Sequence, residues 1–238
     1  MDNEIGDLEA IAVGKTYVEG GREHVVLDSV DARFCAGESV ALLGRSGSGK
    51  STLLNLLSGI DSPTRGTVLV SGKNLTAASD EARTLIRRRQ MGFVFQFFNL
   101  LPALSVVENI MLPRTLIGDS RSAARVHARS LLKAVGLKGR EDSYADRLSG
   151  GEQQRVALAR AIAHEPEIVF ADEPTGNLDA ATSSDVLALL EELVKNRGVT
   201  LVMATHSEEA AGICSRRVRV ENGALVETPS NALRTESA

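Results

Sequence analysis

The sequence contains no tryptophan, two tyrosines and two cysteines among 238 residues. Cys35 and Cys214 stand far apart, and neither has CxxC or Cys/His spacing around it. They fit a reducing compartment better than a disulfide or metal framework. Long hydrophobic runs are also missing. The longest apolar stretch, even counting glycine, is five residues, as at Val40–Gly44. A membrane-crossing helix needs roughly 18. No basic surplus exists either: 27 Lys and Arg face 31 Asp and Glu, a net charge of −4. That balance argues against nucleic acid as the main partner. Met1–Asp7 has neither a basic region nor an apolar core, so no secretory leader is expected there. These absences predict a soluble, cytoplasmic globular protein.

At roughly 100–200 residues per domain, the length allows one large domain or two small ones. The ends, Met1–Asp7 and Thr228–Ala238, read as polar tails. Between them short apolar runs alternate with helical periods, the pattern of an α/β fold. Ser39–Leu43, Met91–Phe95, Ile168–Ala171 and Thr200–Ala204 are expected as buried strands. Leu8–Tyr17, Val25–Val30 and Thr67–Val70 are expected at sheet edges. Asn222-Gly223 between Val218–Val220 and Ala224–Val226 signals a hairpin. Helical periodicity marks Lys50–Leu57, Ser120–Val135, Gly151–His164 and Ala180–Lys195. The stretch from about Gln96 to Leu148 is mostly helical and lies between two core strands, as an inserted subdomain would.

Gly44-Arg45-Ser46-Gly47-Ser48-Gly49-Lys50-Ser51 fits GxxxxGK[ST], with a strand before it and a helix after it. Its glycines let backbone N–H groups and a helix N-terminus wrap a phosphate chain. Lys50 is placed to neutralise the β- and γ-phosphates and Ser51 to offer its hydroxyl to Mg²⁺. Such a loop needs a carboxylate at the end of a neighbouring strand. Ile168-Val169-Phe170-Ala171-Asp172-Glu173 supplies two: Asp172 for the metal through water, and Glu173 as general base toward the attacking water.

Leu148-Ser149-Gly150-Gly151-Glu152-Gln153-Gln154-Arg155 opens a further helix. Ser149 and Glu152 have capping-box spacing, and the two glycines at a helix start form a second anion site. Here the sequence resembles the ATP-binding cassette (ABC) ATPases, whose word LSGGQ is matched except that Glu152 stands for the Gln. The resemblance runs from about Leu8 to Glu227. It implies a P-loop fold with a RecA-like core over about 8–95 and 165–227. An N-terminal antiparallel β-subdomain, a helical subdomain over about 96–164 and a polar tail at 228–238 complete this single domain.

The resemblance also implies roles. Tyr17 takes the place of the aromatic that stacks on adenine. Gly44, Arg45, Ser46, Gly47, Ser48, Gly49, Lys50, Ser51 and Thr52 surround the nucleotide. Gln96 matches the glutamine that reaches Mg²⁺ and the γ-phosphate, beside Ser51 and Asp172. His206 matches the switch histidine, and Asp179 in Gly176-Asn177-Leu178-Asp179 the D-loop. Ser149, Gly150, Gly151 and Glu152 complete the ATP site of a second copy, so a head-to-tail homodimer with ATP and Mg²⁺ is expected.

Four of the six phenylalanines fall at Phe93, Phe95, Phe97 and Phe98. By strand alternation Phe93 and Phe95 share a face and are expected in the core. Phe97, Phe98, Leu100 and Leu101 follow Gln96 in a loop. Exposed apolar residues at that density mark a partner surface. The resemblance implies that they receive a helix of a separate membrane permease; the alternative is that they cover the helical subdomain's own core. The words around Gln96 and Asp172 resemble the branch that includes the lipoprotein-releasing LolD, macrolide-exporting MacB and cell-division FtsE ATPases. That implies an energy-coupling ATPase on the cytoplasmic face of the inner membrane, held there only through its permease. A non-transport ABC ATPase acting on nucleic acid or ribosomes, and a P-loop kinase, are the alternatives. The long coiled coils or tandem cassettes of the first are missing, and the second has no use for the Ser149–Glu152 word, Asp179 or His206.

Overall fold

The computed structural model describes residues 7–227. The expected tails, apart from Asp7, lie outside the described residues. Asp7 itself is no tail residue: it is buried, and its carboxylate accepts from Ala36 N at 2.9 Å and Arg33 Nη2 at 2.8 Å.

Strands β1 (Leu8–Glu19) and β2 (Arg22–Phe34) form a long antiparallel hairpin. Both run past the expected limits. At the turn their mostly polar ends keep pairing up to Glu19 opposite Arg22. Beyond Val30, strand β2 continues to the buried Phe34, which pairs with Leu8. β3 (Ser39–Leu43) starts a second sheet and leads into α1 (Lys50–Leu57). The chain then returns to the first sheet with β4 (Arg65–Val70) and β5 (Lys73–Asn74), giving the order β2-β1-β4-β5.

Helix α2 (Asp80–Gln90) is absent from the sequence expectations, and no residue of it is buried. Its apolar signal is one short turn, Ala82, Leu85 and Ile86, of which Ile86 packs against the core. Its ends do carry signals: Ser79 caps Ala82 N, Asp80 and Glu81 occupy the first turn, and Arg87, Arg88 and Arg89 the last. These complement the helix dipole. β6 (Met91–Phe95) follows, then α3 (Val106–Leu116), α4 (Arg121–Ala134) and α5 (Gly150–Ile162). α5 ends two residues before the expected His164, whose buried ring is tied at Nε2 to Met91 O, 3.0 Å away.

β7 (Ile168–Asp172), α6 (Ala180–Lys195), β8 (Thr200–Thr205), α7 (Glu208–Gly212), β9 (Arg216–Glu221) and β10 (Ala224–Glu227) complete the order. The second sheet runs β10-β9-β3-β8-β7-β6, parallel except for the edge strand β10. The β9–β10 turn is the expected hairpin, with Asn222 and Gly223 both at positive φ.

Residues along β7 and β8 alternate between two cores. Ile168, Phe170, Val202 and Ala204 pack with α1 and the antiparallel sheet. Val169, Ala171, Leu201 and Met203 pack with apolar residues of α3 to α6. Buried on both faces, these strands are continuous apolar runs, which is why the sequence reveals them.

The phenylalanine cluster divides differently from expectation. Phe93 stacks on Phe170, centroids 5.8 Å apart, and on Phe95 at 6.0 Å. Yet Phe93 and Phe95 are only half-buried, because their outer faces line an apolar groove with Leu101, Leu112, Pro113 and Leu116. Phe97 and Leu101 are exposed, at 72% and 43%. Phe98 is half-buried, and Leu100 packs against the helical core instead of facing outward.

Candidate functional site

The strand–turn–helix unit of β3 and α1 shapes a cleft of about 630 Å³. It is lined by Ser46, Gly47, Gly49, Lys50, Ser51 and Thr52, and closed opposite by Gln96, Glu173 and His206. Gly49 is the N-cap of α1 at φ +99°, a left-handed conformation. A Cβ there would also lie 3.1 Å from Val26 and Leu27. Only glycine lets the backbone N–H groups of this helix start face the cleft. Lys50 is buried, and its Nζ donates to Gly44 O at 2.9 Å and Arg45 O at 3.2 Å. Gly44, Arg45 and Ser48 lie on the other side of the loop, along a second cleft that includes Arg219 and Asn222.

β7 brings its two acids to the same place. Ser51 Oγ donates to Asp172 Oδ1 at 3.0 Å. Burial, with the Glu173 charge adding to it, raises the Asp172 carboxyl above its ordinary range, against the Ser51 hydrogen bond. Two hard oxygens side by side, one from an acid, suit Mg²⁺, which takes its remaining ligands from phosphate and water.

Glu173 has φ +46°, a left-handed conformation costly for a residue with a side chain. That backbone is held by Glu173 N donating to Ala204 O at 2.9 Å and Gly176 N donating to Glu173 O at 3.0 Å. The carboxylate accepts from His206 Nδ1 at 2.9 Å, Thr205 Oγ1 at 3.2 Å and His206 N at 3.4 Å. Lys50 Nζ lies 3.9 Å from it. Thr205 is a site residue that sequence reasoning missed. The signal was its position at the end of a buried strand, directly before His206.

The second motif does not line this cleft. Ser149 caps α5 by accepting from Glu152 N at 3.3 Å, while Glu152 Oε2 accepts from Ser149 N at 2.9 Å. The expected capping box is therefore formed. The Ser149 N–H, joined by Arg140 Nη2 at 3.0 Å, holds the Glu152 carboxyl below its usual range. Asp179 caps α6 through Thr182 N and Thr182 Oγ1, at 3.0 and 2.7 Å. A Cβ on Gly151 would stand 2.4 Å from Thr182 Cγ2, so the two helix starts meet at a glycine. Two further residues went unforeseen. Gln154 is fully buried and bonds Pro174 O, and Arg160 donates to the carbonyls of Phe98 and Asn99 at 2.8 and 2.6 Å.

Tyr17 stands apart from the phosphate cleft, with its hydroxyl 2.9 Å from Asp61 Oδ2. Thr52 also reaches that hydroxyl, so the ring lies next to the first turn of α1.

A strand, a glycine-rich turn and a helix start, facing two acids at the end of a parallel strand, define a P-loop nucleoside triphosphatase. The ABC transporter family model matches residues 27–176. An uncharacterized ABC transporter ATP-binding protein of Mycobacterium tuberculosis is 51% identical over 221 residues, covering 93% of this chain and 89% of that protein. The lipoprotein-releasing system ATP-binding protein LolD of Xanthomonas campestris is 44% identical over 226 residues, 95% of each chain. Among solved structures, the ATP-binding cassette MJ0796 in a dimeric post-hydrolysis state bound to ADP and Pi matches with a TM-score of 0.85. It is 36% identical, over 92% of this chain and 98% of that one. The chain belongs to the ABC transporter family and is its ATP-hydrolysing cassette.

Proposed function

We propose that Glu173 is the base that takes the proton of the water attacking the γ-phosphate. The observation that carries this reading is the carboxylate itself, held by Thr205 and His206 on a strained backbone 3.9 Å from Lys50. His206 orients that carboxylate, and Lys50 neutralises the phosphates. The backbone from Gly44 to Thr52 cradles the phosphate chain, and Tyr17 carries the adenine. Ser51, Asp172 and Gln96 hold Mg²⁺, which when bound supplies charge neutralisation at the phosphate oxygens.

Two copies pair head to tail, so that Ser149, Gly150, Gly151 and Glu152 of one face the nucleotide of the other, with Asp179 between the sites. The dimeric structures of the MJ0796 cassette support the pairing of two copies. Within each copy, residues 8–95 and 165–227 act as the nucleotide-binding core and 96–164 as the helical arm.

Among the described residues no helix is long and apolar enough to cross a membrane. The cassette drives a separate permease and is held by it at the cytoplasmic face of the inner membrane, a reading supported by its likeness to transporter ATP-binding proteins. Its likeness to LolD favours lipoprotein release or a related export or mechanotransmission task. The permease contacts the apolar groove of Phe93, Phe95, Leu112 and Leu116, with Leu101 shared between that groove and the exposed loop of Phe97. The groove walls carry Arg87, Arg88 and Arg160 and no acid, so the docking segment is apolar with an acidic flank.

Glu173→Gln tests the central assignment. The variant keeps ATP, loses turnover by about 100-fold or more, and runs as a dimer on gel filtration with ATP and Mg²⁺. Turnover near that of the parent protein overturns it.

A further inference from the structure

Tyr17 has a built back. Lys15 Nζ lies 4.8 Å from the centroid of its ring and donates to Asp61 Oδ1 and Ser62 O, each at 2.8 Å. The Tyr17 hydroxyl donates to the other oxygen of the same carboxylate at 2.9 Å, and Ser62 N donates to Oδ1 at 2.7 Å. Partial burial pushes the Asp61 carboxyl up, but hydrogen bonds from Lys15, Ser62 and Tyr17 outweigh it and hold the group below its ordinary value. The Lys15 side chain is only 12% exposed, and a charge that secluded needs such a partner.

Asp61 is itself anchored. Its N–H donates to Asn55 O in α1 at 3.1 Å. The turn beyond it is laced to β1, with Thr64 N donating to Gly14 O at 2.8 Å and Thr16 N to Thr64 Oγ1 at 3.0 Å. The start of α1 faces the phosphate cleft, and the turn after its end holds Tyr17. One helix thus fixes both places.

We propose that Lys15 and Asp61 are positioning residues for the purine, holding Tyr17 with the ammonium over one ring face and the other face presented to the base of the nucleotide. The inference rests on the reading of Tyr17 as the adenine platform. Two aromatic faces repel through their quadrupoles when stacked squarely. A cation behind one ring draws its electron density back and weakens that repulsion. The carboxylate keeps the ammonium charged and in place and stops the ring from turning.

The test uses the purified chain with a Tyr144→Phe background. With no tryptophan, Tyr17 is then the only strong intrinsic emitter. The probes are ADP and inorganic tripolyphosphate, which has no base. Lys15→Met and Asp61→Ala each weaken ADP binding about fivefold, reduce quenching of Tyr17 emission by ADP and raise KM for ATP while kcat holds. Tripolyphosphate affinity does not change, and Lys15→Arg, which restores a cation, recovers the ADP affinity. If Asp61→Ala does not fold, the two Lys15 variants carry the test.

Unchanged ADP affinity in Lys15→Met overturns the inference. So does an equal loss for tripolyphosphate, which would make these residues mere braces of the phosphate loop. Tyr17→Ala separates the two levels. If it leaves ADP binding intact, the platform reading itself fails. If it weakens ADP binding while Lys15→Met does not, only the present inference fails.

Discussion

Gln96 and Asn177 are bonded to each other twice. Gln96 Nε2 donates to Asn177 Oδ1 at 3.1 Å, and Asn177 Nδ2 donates to Gln96 O at 3.0 Å. The pair joins the loop after β6, which leads toward the groove, to the loop after β7, which follows the proposed base. Gly176 leaves room for it: a Cβ there would stand 2.8 Å from Gln96 Nε2. The pair thus ties the start of the 97–101 loop to the loop that begins beside Glu173.

Asn177→Leu removes both bonds and leaves the Gln96 amide without its partner. Each such bond contributes about 0.5–1.5 kcal/mol, so the melting temperature falls only slightly. The larger expected effect is kinetic: ATPase activity falls several-fold because Gln96 is no longer held. Steady-state turnover alongside a thermal melt checks this. Full activity would show that the pair does not position Gln96.

Gly151→Ala is expected to destabilise the fold by about 1–3 kcal/mol through overpacking. The new methyl meets Thr182 Cγ2, which cannot swing away while Thr182 Oγ1 stays bonded to Asp179. Adding Thr182→Ser deletes the offending methyl and keeps the hydroxyl, so the double variant recovers most of the loss. Chemical denaturation of the four proteins in the cycle measures the coupling.

Leu112→Ser with Leu116→Ser removes apolar surface from the groove without touching the phosphate cleft. Each aliphatic side chain buried at a contact is worth roughly 1.5–3 kcal/mol, so permease pull-down is lost while the isolated cassette melts as before. Phe97→Ser with Phe98→Ser is the comparison. If that pair releases the permease and the leucine pair does not, the partner sits on the loop instead of in the groove.

Burial pushes the Cys214 thiol up to about 12, whereas Cys35 is exposed. Only thiolate reacts with an alkylating agent. Iodoacetamide at pH 8 should add a single group to the folded protein, at Cys35, and a second at Cys214 only after denaturation. Intact mass and peptide mapping read both.

Much of this architecture is legible in the residues. β3, β7 and β8 are apolar runs because both faces are buried, and the phosphate loop shows itself through fixed glycine spacing. Helix α2 escapes because none of its residues is fully buried and its apolar spacing, Ala82, Leu85 and Ile86, lasts a single turn, so its caps are the stronger mark. The half-exposure of Phe93 and Phe95 is also hidden, since strand alternation gives a face but not what covers it. Lys15, Asp61 and Tyr17 show the deeper limit. Asp61 lies 44 residues beyond Tyr17, and only the return of the chain from α1 to the first sheet brings them together.

The double-sided burial of β8 makes strand length there a fixed quantity. Leu201 and Met203 serve one core while Val202 and Ala204 serve the other. Inserting or deleting a single residue in this strand would exchange the two sets, sending each side chain into a cavity shaped for another. It would also slide Thr205 and His206 away from Glu173. The Gly20-Gly21 turn, where the hairpin ends in solvent, carries no such constraint on its length. In β8 a shift of one position damages both cores and the contacts of Thr205 and His206 with Glu173 at once.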